Sequence, residues 1–253
     1  MSDYYEPKKE DLEIEQVEDL SQDSKYQKLL ERLEKFKLII QQSKLFKETV
    51  EKLDSKFDSI RCLALGSPLE SSNALYQLAY LILLIQEKNI GKISIYDPIF
   101  NKYDIFLMKN LNYQIEIEYI PEHQEKTLYF MPHAPLELTN VIIKNDKPLF
   151  LLGNNLINHT DRFTKLKLHQ TYPLIALLVQ LVDSNSDDNQ GFVKPKKRKN
   201  KLVYQEPVIN YDYTINDCYF NHLTIDNFTN NFSKNDPWGN SFSDLSYHKI
   251  SLK

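Results

Sequence analysis

Apolar positions recur with two different periods along this chain, and the changes of period mark its elements. Tyr26, Leu29, Leu30, Leu33, Phe36 and Ile40 form one stripe at helical spacing, which predicts a helix beginning at Ser24. Ser43 stands where it can cap a second segment that carries Phe46, Val50, Leu53 and Phe57. Ile60 to Leu65 is a short apolar run stopped by Gly66-Ser67-Pro68, and it reads as a strand. Ser71 and Ser72 offer hydroxyls to the unpaired amides of a first helical turn. Ala74, Leu75, Leu78, Ala79, Ile82 and Ile85 then recur at helical spacing, with Leu81 and Leu84 making that helix apolar almost all round. Lys92 to Tyr96 follows as a second strand and ends at Asp97-Pro98. The pattern is a βαβ unit.

Beyond it, Asn101 to Leu111 predicts a short helix. Ile115, Ile117 and Tyr119 alternate with glutamates, as in a strand with one solvated face. Thr127 to Met131 is apolar enough for a central strand, Leu136 to Ile143 reads as a helix, and Leu149 to Leu152 as a strand closed by Gly153-Asn154-Asn155. Tyr172 to Val182 is ambiguous in period, and its Leu and Ala content favours helix. Strand-helix alternation through residue 153 implies a mainly parallel sheet with right-handed crossovers. The expectation is a single Rossmann-like three-layer α/β sandwich with an N-terminal helical extension and an irregular C-terminal tail. Its expected bounds are residues 23–182 and 202–253, with the core at 58–155. A disordered acidic tail is expected at 1–22 and a disordered basic loop at 183–201.

Composition narrows the function classes. Five glycines are few for glycine-rich phosphate loops, and a net charge of -4 argues against a general nucleic-acid-binding surface. Charge is unevenly spread: the first twenty residues hold eight acids against Lys8 and Lys9. Farther on, Lys194, Lys196, Lys197, Arg198, Lys199 and Lys201 form a basic run, a candidate for nuclear localisation or for contact with nucleic acid or an acidic surface. A solvated loop is the plain alternative. Cys62 and Cys218 are far apart and make no disulfide framework or zinc motif, so no metal is expected. The longest apolar run, near Leu78 to Ile85, is short of the about 20 residues that span a bilayer. With no signal-peptide pattern, the expectation is a soluble protein of cytoplasm and nucleus, without a membrane partner.

In open α/β sheets ligands bind at the carboxyl ends of the strands. Four marked turns fall there: Gly66-Ser67, Asp97-Pro98, Met131-Pro132-His133 and Gly153-Asn154-Asn155. Gly66 permits a tight turn into a helix whose N-terminus suits an anion, or is only a turn glycine. The full G-x-G-x-x-G pattern is absent. Asp97 stands where nucleotide-binding folds keep an acid for ribose hydroxyls, or else caps the next helix. His133 is the one histidine at an expected strand end, a weak candidate for a general base or a loop residue that bonds its neighbours. The other histidines show no metal-ligand spacing.

These turns, in order, resemble the "sensitivity to red light reduced" family. Its pattern is a Gly-Ser turn, a helix with Gln-Leu-Ala, then Tyr-Asp-Pro, Met-Pro-His and Gly-Asn. Here these are Gly66-Ser67, Gln77-Leu78-Ala79, Tyr96-Asp97-Pro98, Met131-Pro132-His133 and Gly153-Asn154. The likeness spans roughly residues 43 to 155, with a looser echo from Phe220 to Phe228, where Asp226 replaces a histidine. The resemblance implies a Rossmann-type domain with no established reaction. It also implies regulatory roles that differ between lineages: microtubule-related in fungi, circadian or haem-related in animals. The abundance of Asn, Lys, Ile and Tyr suggests a fungal or protist member.

The leading expectation is an intracellular regulatory protein acting through binding to a protein partner. The alternative is a small-molecule enzyme or nucleotide-type sensor, methyltransferase-like, for an adenosine-containing ligand. It would use Gly66 and Ser67 for an anionic or carboxylate part, Asp97 for hydroxyls and His133 for proton transfer, with Met131, Gly153 and Asn154 as further ligand-binding candidates. A third reading is a cytoskeletal or protein-quality partner docking through the basic loop and helical extension.

Overall fold

In the computed structural model, residues 18–54, 56–185, 218–229 and 235–253 are described. Helix α1 (Ser24–Gln42) starts at Asp23, whose carboxylate accepts from the Lys25 and Tyr26 amides. It ends at Ser43, whose hydroxyl accepts from Phe46 and so opens α2 (Lys44–Lys52). Strand β1 (Ser59–Leu63) leads through the Gly66 turn into α3 (Ser72–Lys88), capped by Ser71. All positions from Ala74 to Leu84 in α3 are buried, as an all-round apolar helix between two layers must be. Asn89, left-handed at φ 52°, ends it and turns the chain into β2 (Lys92–Tyr96). Helix α4 (Lys102–Asn110) opens on a capping box in which Asn101 and Asp104 exchange side-chain-to-backbone bonds.

After β3 (Gln114–Ile115), β4 (Thr127–Met131), α5 (Leu136–Asn145) and β5 (Phe150–Asn154) come α6 (Leu156–Thr160), α7 (Lys165–Thr171) and α8 (Pro173–Asn185). The last strands are β6 (Phe220–Asn227) and β7 (Leu245–Leu252). The sheet runs β3-β2-β1-β4-β5-β7-β6. The first five strands are parallel, while β7 lies antiparallel between β5 and β6.

Alternate residues face opposite layers. Ile60, Cys62, Leu128, Phe130, Phe150 and Leu152 join the core shared with α1 to α4. Leu63, Tyr129, Met131 and Leu151 pack with Ile142 of α5 on the other face, while Phe220, Leu223 and Ile250 pack with α6, α7 and α8. This is the expected three-layer α/β sandwich. The helical extension is part of it, because α1 lies on α3, with Phe36 stacked on Tyr76 at 3.7 Å between ring centroids.

The structure corrects four expectations. The C-terminal tail is not irregular: it supplies two paired strands, with Leu245, Tyr247 and Ile250 buried. The strand expected over Ile115 to Tyr119 leaves the sheet after Ile115. The buried Arg61 takes the Glu116 and Ile117 carbonyls (2.7 and 3.0 Å) that would have continued it. Leu20 is buried in the main core, so part of the segment expected to be a disordered acidic tail is packed. Helix α8 runs to Asn185, into the segment expected as a loop, whose basic run lies outside the described residues.

Candidate site at the carboxyl ends of the strands

The parallel register brings the four turns to one edge. Leu63 pairs with Tyr96, placing the Gly66 and Asp97 turns together; Met131 pairs with Gly153, placing His133 near Asn154. The sheet order reverses between β1 and β4, so the two pairs of turns flank the switch point.

The β1–β2 half is closed on itself. Ala64 and Gly66 both have left-handed backbones (φ 54° and 79°), and a Cβ on Gly66 would sit 3.3 Å from that of Ala74. The amide of Gly66 donates to Asp97 Oδ2 at 2.8 Å, and that of Ile99 donates to Oδ1 at 3.0 Å. Asp97 therefore ties the two turns together. Ser67 donates its hydroxyl to Asp104 Oδ2 at 2.6 Å and accepts from Asn101 Nδ2 at 3.1 Å. Asp104, fully buried, also accepts from the amides of Leu69 and Asn101. Burial holds its carboxyl above the usual carboxylate range, against the pull of Ser67 and those two amides. The donors expected to cradle an anion, and the acid expected to take hydroxyls, are engaged within the protein.

The β4–β5 half is open in its hydrogen bonding. Gly153 lets β5 lie against β4, for a Cβ there would meet the Met131 carbonyl oxygen at 2.8 Å. Met131 itself is core, 1% exposed, packed with Leu63, Tyr129 and Leu151. Asn154 donates to the Ala134 carbonyl at 3.0 Å and approaches His159 Nε2 at 3.4 Å. Its carbonyl oxygen and His159 Nδ1 are buried with no hydrogen-bond partner among the described residues. His133 stays exposed on one side and faces the Asn240, Ser241 and Asp244 turn on the other. Loss of solvent on that side lowers its pKa below the ordinary imidazole value, with Asp244 opposing. His159 is lowered too, by loss of solvent and then by Arg162.

His248 supports this half from below. It is fully buried at the centre of β7, where Nδ1 donates to the Leu151 carbonyl (3.2 Å) and Nε2 accepts from the Leu156 amide (3.3 Å). It thereby holds the start of α6, the helix that carries His159. Burial pushes its pKa down to about 4. The Asn155 side chain, bonded to Asn227 and Ser246, fixes the same helix start.

Sequence reading missed Asp104, His159, Asp244 and His248. The first was accessible: Asn101-x-x-Asp104 is a capping-box spacing. His159 also had a signal, lying one helical turn past a strand end, whereas Asp244 and His248 arrive from a strand about 100 residues away. Among the described residues no group of three or more His, Cys, Asp or Glu could hold a metal ion, and no helix is long and apolar enough to cross a membrane. A hollow of about 410 Å³ lined by Tyr119, Glu122, Glu125 and Asp146 lies by the residues that lead into β4 and β5, at the opposite edge from these turns.

Fold and strand-end geometry define an α/β domain with a mainly parallel seven-stranded sheet and a polar edge at its switch point. The SRR1 domain matches residues 21–249, and the chain belongs to that family. The match runs from the first helix into the last strand, well beyond the 43 to 155 stretch that the turn motifs alone carry. No curated protein and no solved structure matches the chain.

Proposed function

We propose that this chain is a regulatory protein of the SRR1 domain family that acts by binding, with a small-molecule site at the carboxyl ends of β4 and β5. The observation that carries this reading is the pair of buried polar atoms on Asn154 and His159 that have no partner among the described residues, beside an exposed His133. Native interiors rarely leave such atoms without partners, so their gathering at the strand ends favours a ligand there. Microtubule-related, circadian and haem-related regulation are the processes the resemblance supplies, with the chain distributed between cytoplasm and nucleus through the basic run at 194–201. Deleting that run should then abolish nuclear accumulation.

A second reading, a methyltransferase-like enzyme, is favoured by the strand order. A reversed β7 between β5 and β6 is also the order of Rossmann-like methyltransferases, a likeness of fold alone. In this reading His133 would move the proton. The occupied Asp97 and Gly66 weigh against an adenosine pocket of the usual kind at β1 and β2.

The test is a thermal-shift screen against adenosine-containing cofactors, nicotinamide nucleotides and haem. A ligand at 100 times its dissociation constant stabilises by about 2.7 kcal/mol, a shift of several degrees. The binding reading expects such a shift, reduced in His133→Ala. No shift with any ligand would leave the strand ends without a ligand role.

A further inference from the structure

The bond from Asn154 Nδ2 to the Ala134 carbonyl fixes which way the amide points, since the reverse would set two carbonyl oxygens against each other. Its second hydrogen faces His159 Nε2, so Nε2 accepts and the proton of the neutral ring sits on Nδ1. Asn154 Oδ1 is then a buried acceptor and His159 Nδ1 a buried donor, both without partners among the described residues. Asn154 is 8% exposed, so water reaches it poorly. Among the charges acting on His159, Arg162 weighs most, and Asp244 and Glu137 oppose it. Asn154 Oδ1 offers a phosphate or carboxylate oxygen no hydrogen, so the pair suits a neutral group that donates one hydrogen bond and accepts another.

We propose that the carboxyl ends of β4 and β5 bind the neutral edge of a small molecule bearing adjacent donor and acceptor, of the carboxamide or amino-heterocycle kind. Asn154 Oδ1 accepts from it and His159 Nδ1 donates to it. This rests on the ligand-binding reading above and narrows it to an unphosphorylated edge.

Titration calorimetry on the full chain with adenosine, nicotinamide, AMP and inorganic phosphate tests the assignment. The expectation is binding of adenosine or nicotinamide, none of phosphate, and at least tenfold weaker binding in His159→Phe. That variant trades the unpaired Nδ1 for an unpaired Asn154 Nδ2 hydrogen, so the free protein should melt within a few degrees of the parent. Imidazole nitrogen shifts give a readout independent of the variant's folding: His159 should carry its proton on Nδ1, and that nitrogen should move when adenosine or nicotinamide is added. Binding of phosphate alone, lost in His159→Phe, would overturn the neutral edge and leave the binding reading standing. No heat from any of the four would overturn both. A proton on Nε2 in the free protein would overturn the donor assignment.

Discussion

The two halves of the strand-end edge use the same kinds of residue to opposite effect. At β1 and β2, Asp97 and Asp104 take the amides of Gly66, Ile99, Leu69 and Asn101 and the Ser67 hydroxyl, so the turns are joined into one rigid network. At β4 and β5, Asn154 and His159 meet each other only at 3.4 Å and keep one polar atom apiece without a partner among the described residues. A strand-end acid is thus not by itself a ligand contact. What matters is whether its hydrogen-bonding capacity is already taken by the protein, and here the motif most suggestive in sequence is the one most fully occupied.

The largest test of this contrast is Asp104→Ala. It leaves three buried or half-buried donors without their acceptor, and the expected loss is roughly 3 to 5 kcal/mol in urea unfolding. A loss under about 1 kcal/mol would break the claim that the β1–β2 half is held by this carboxylate.

His248 tests the support beneath the open half through pH. The unfolded chain takes a proton near 6.5, whereas the folded protein refuses it down to about 4. Between these values the unfolded state binds more protons, so stability is full above about pH 6.5 and is lost as pH falls toward 4. Keeping His248 neutral from about pH 6.5 down to about 4 costs the folded state about 3 kcal/mol at the acid end. In His248→Leu that part of the pH slope should vanish, although the variant is weaker at neutral pH because the Leu156 amide loses its acceptor. An unchanged slope would place the acid sensitivity elsewhere.

The smallest expected effect is the sharpest discriminator. Asp97→Ala removes two amide-to-carboxylate bonds and should cost about 2 kcal/mol. His133→Ala, at a position exposed on one side and bonded to the Asn240 and Ser241 backbone on the other, should cost about 1 kcal/mol or less while reducing any ligand shift. Equal destabilisation by both would erase the difference between structural and available strand ends.

Much of this was legible in the residues. Periodicity placed α1, α3, β2 and β4 because their signals are local: an apolar stripe, a serine cap, a glycine stop. The Ile115 to Tyr119 segment misled because its alternation is real, yet the buried Arg61 guanidinium takes its carbonyls from across the sheet. The tail misled for the opposite reason. Each of its strands pairs with a partner remote in sequence, and β7 is buried at most positions, so it shows little polar alternation.

What the sequence by itself determined is the βαβ order, the mainly parallel sheet and the presence of Gly66, Asp97, His133 and Asn154 at strand ends. These follow from short-range propensity and from the rule that apolar faces must be covered. Which of those side chains remain free was decided by the tertiary structure alone. Hydrogen-bond capacity is allotted between groups as distant as Gly66 and Asp97, or Leu156 and His248, and only the packed sheet brings such donors and acceptors within 3.3 Å of each other.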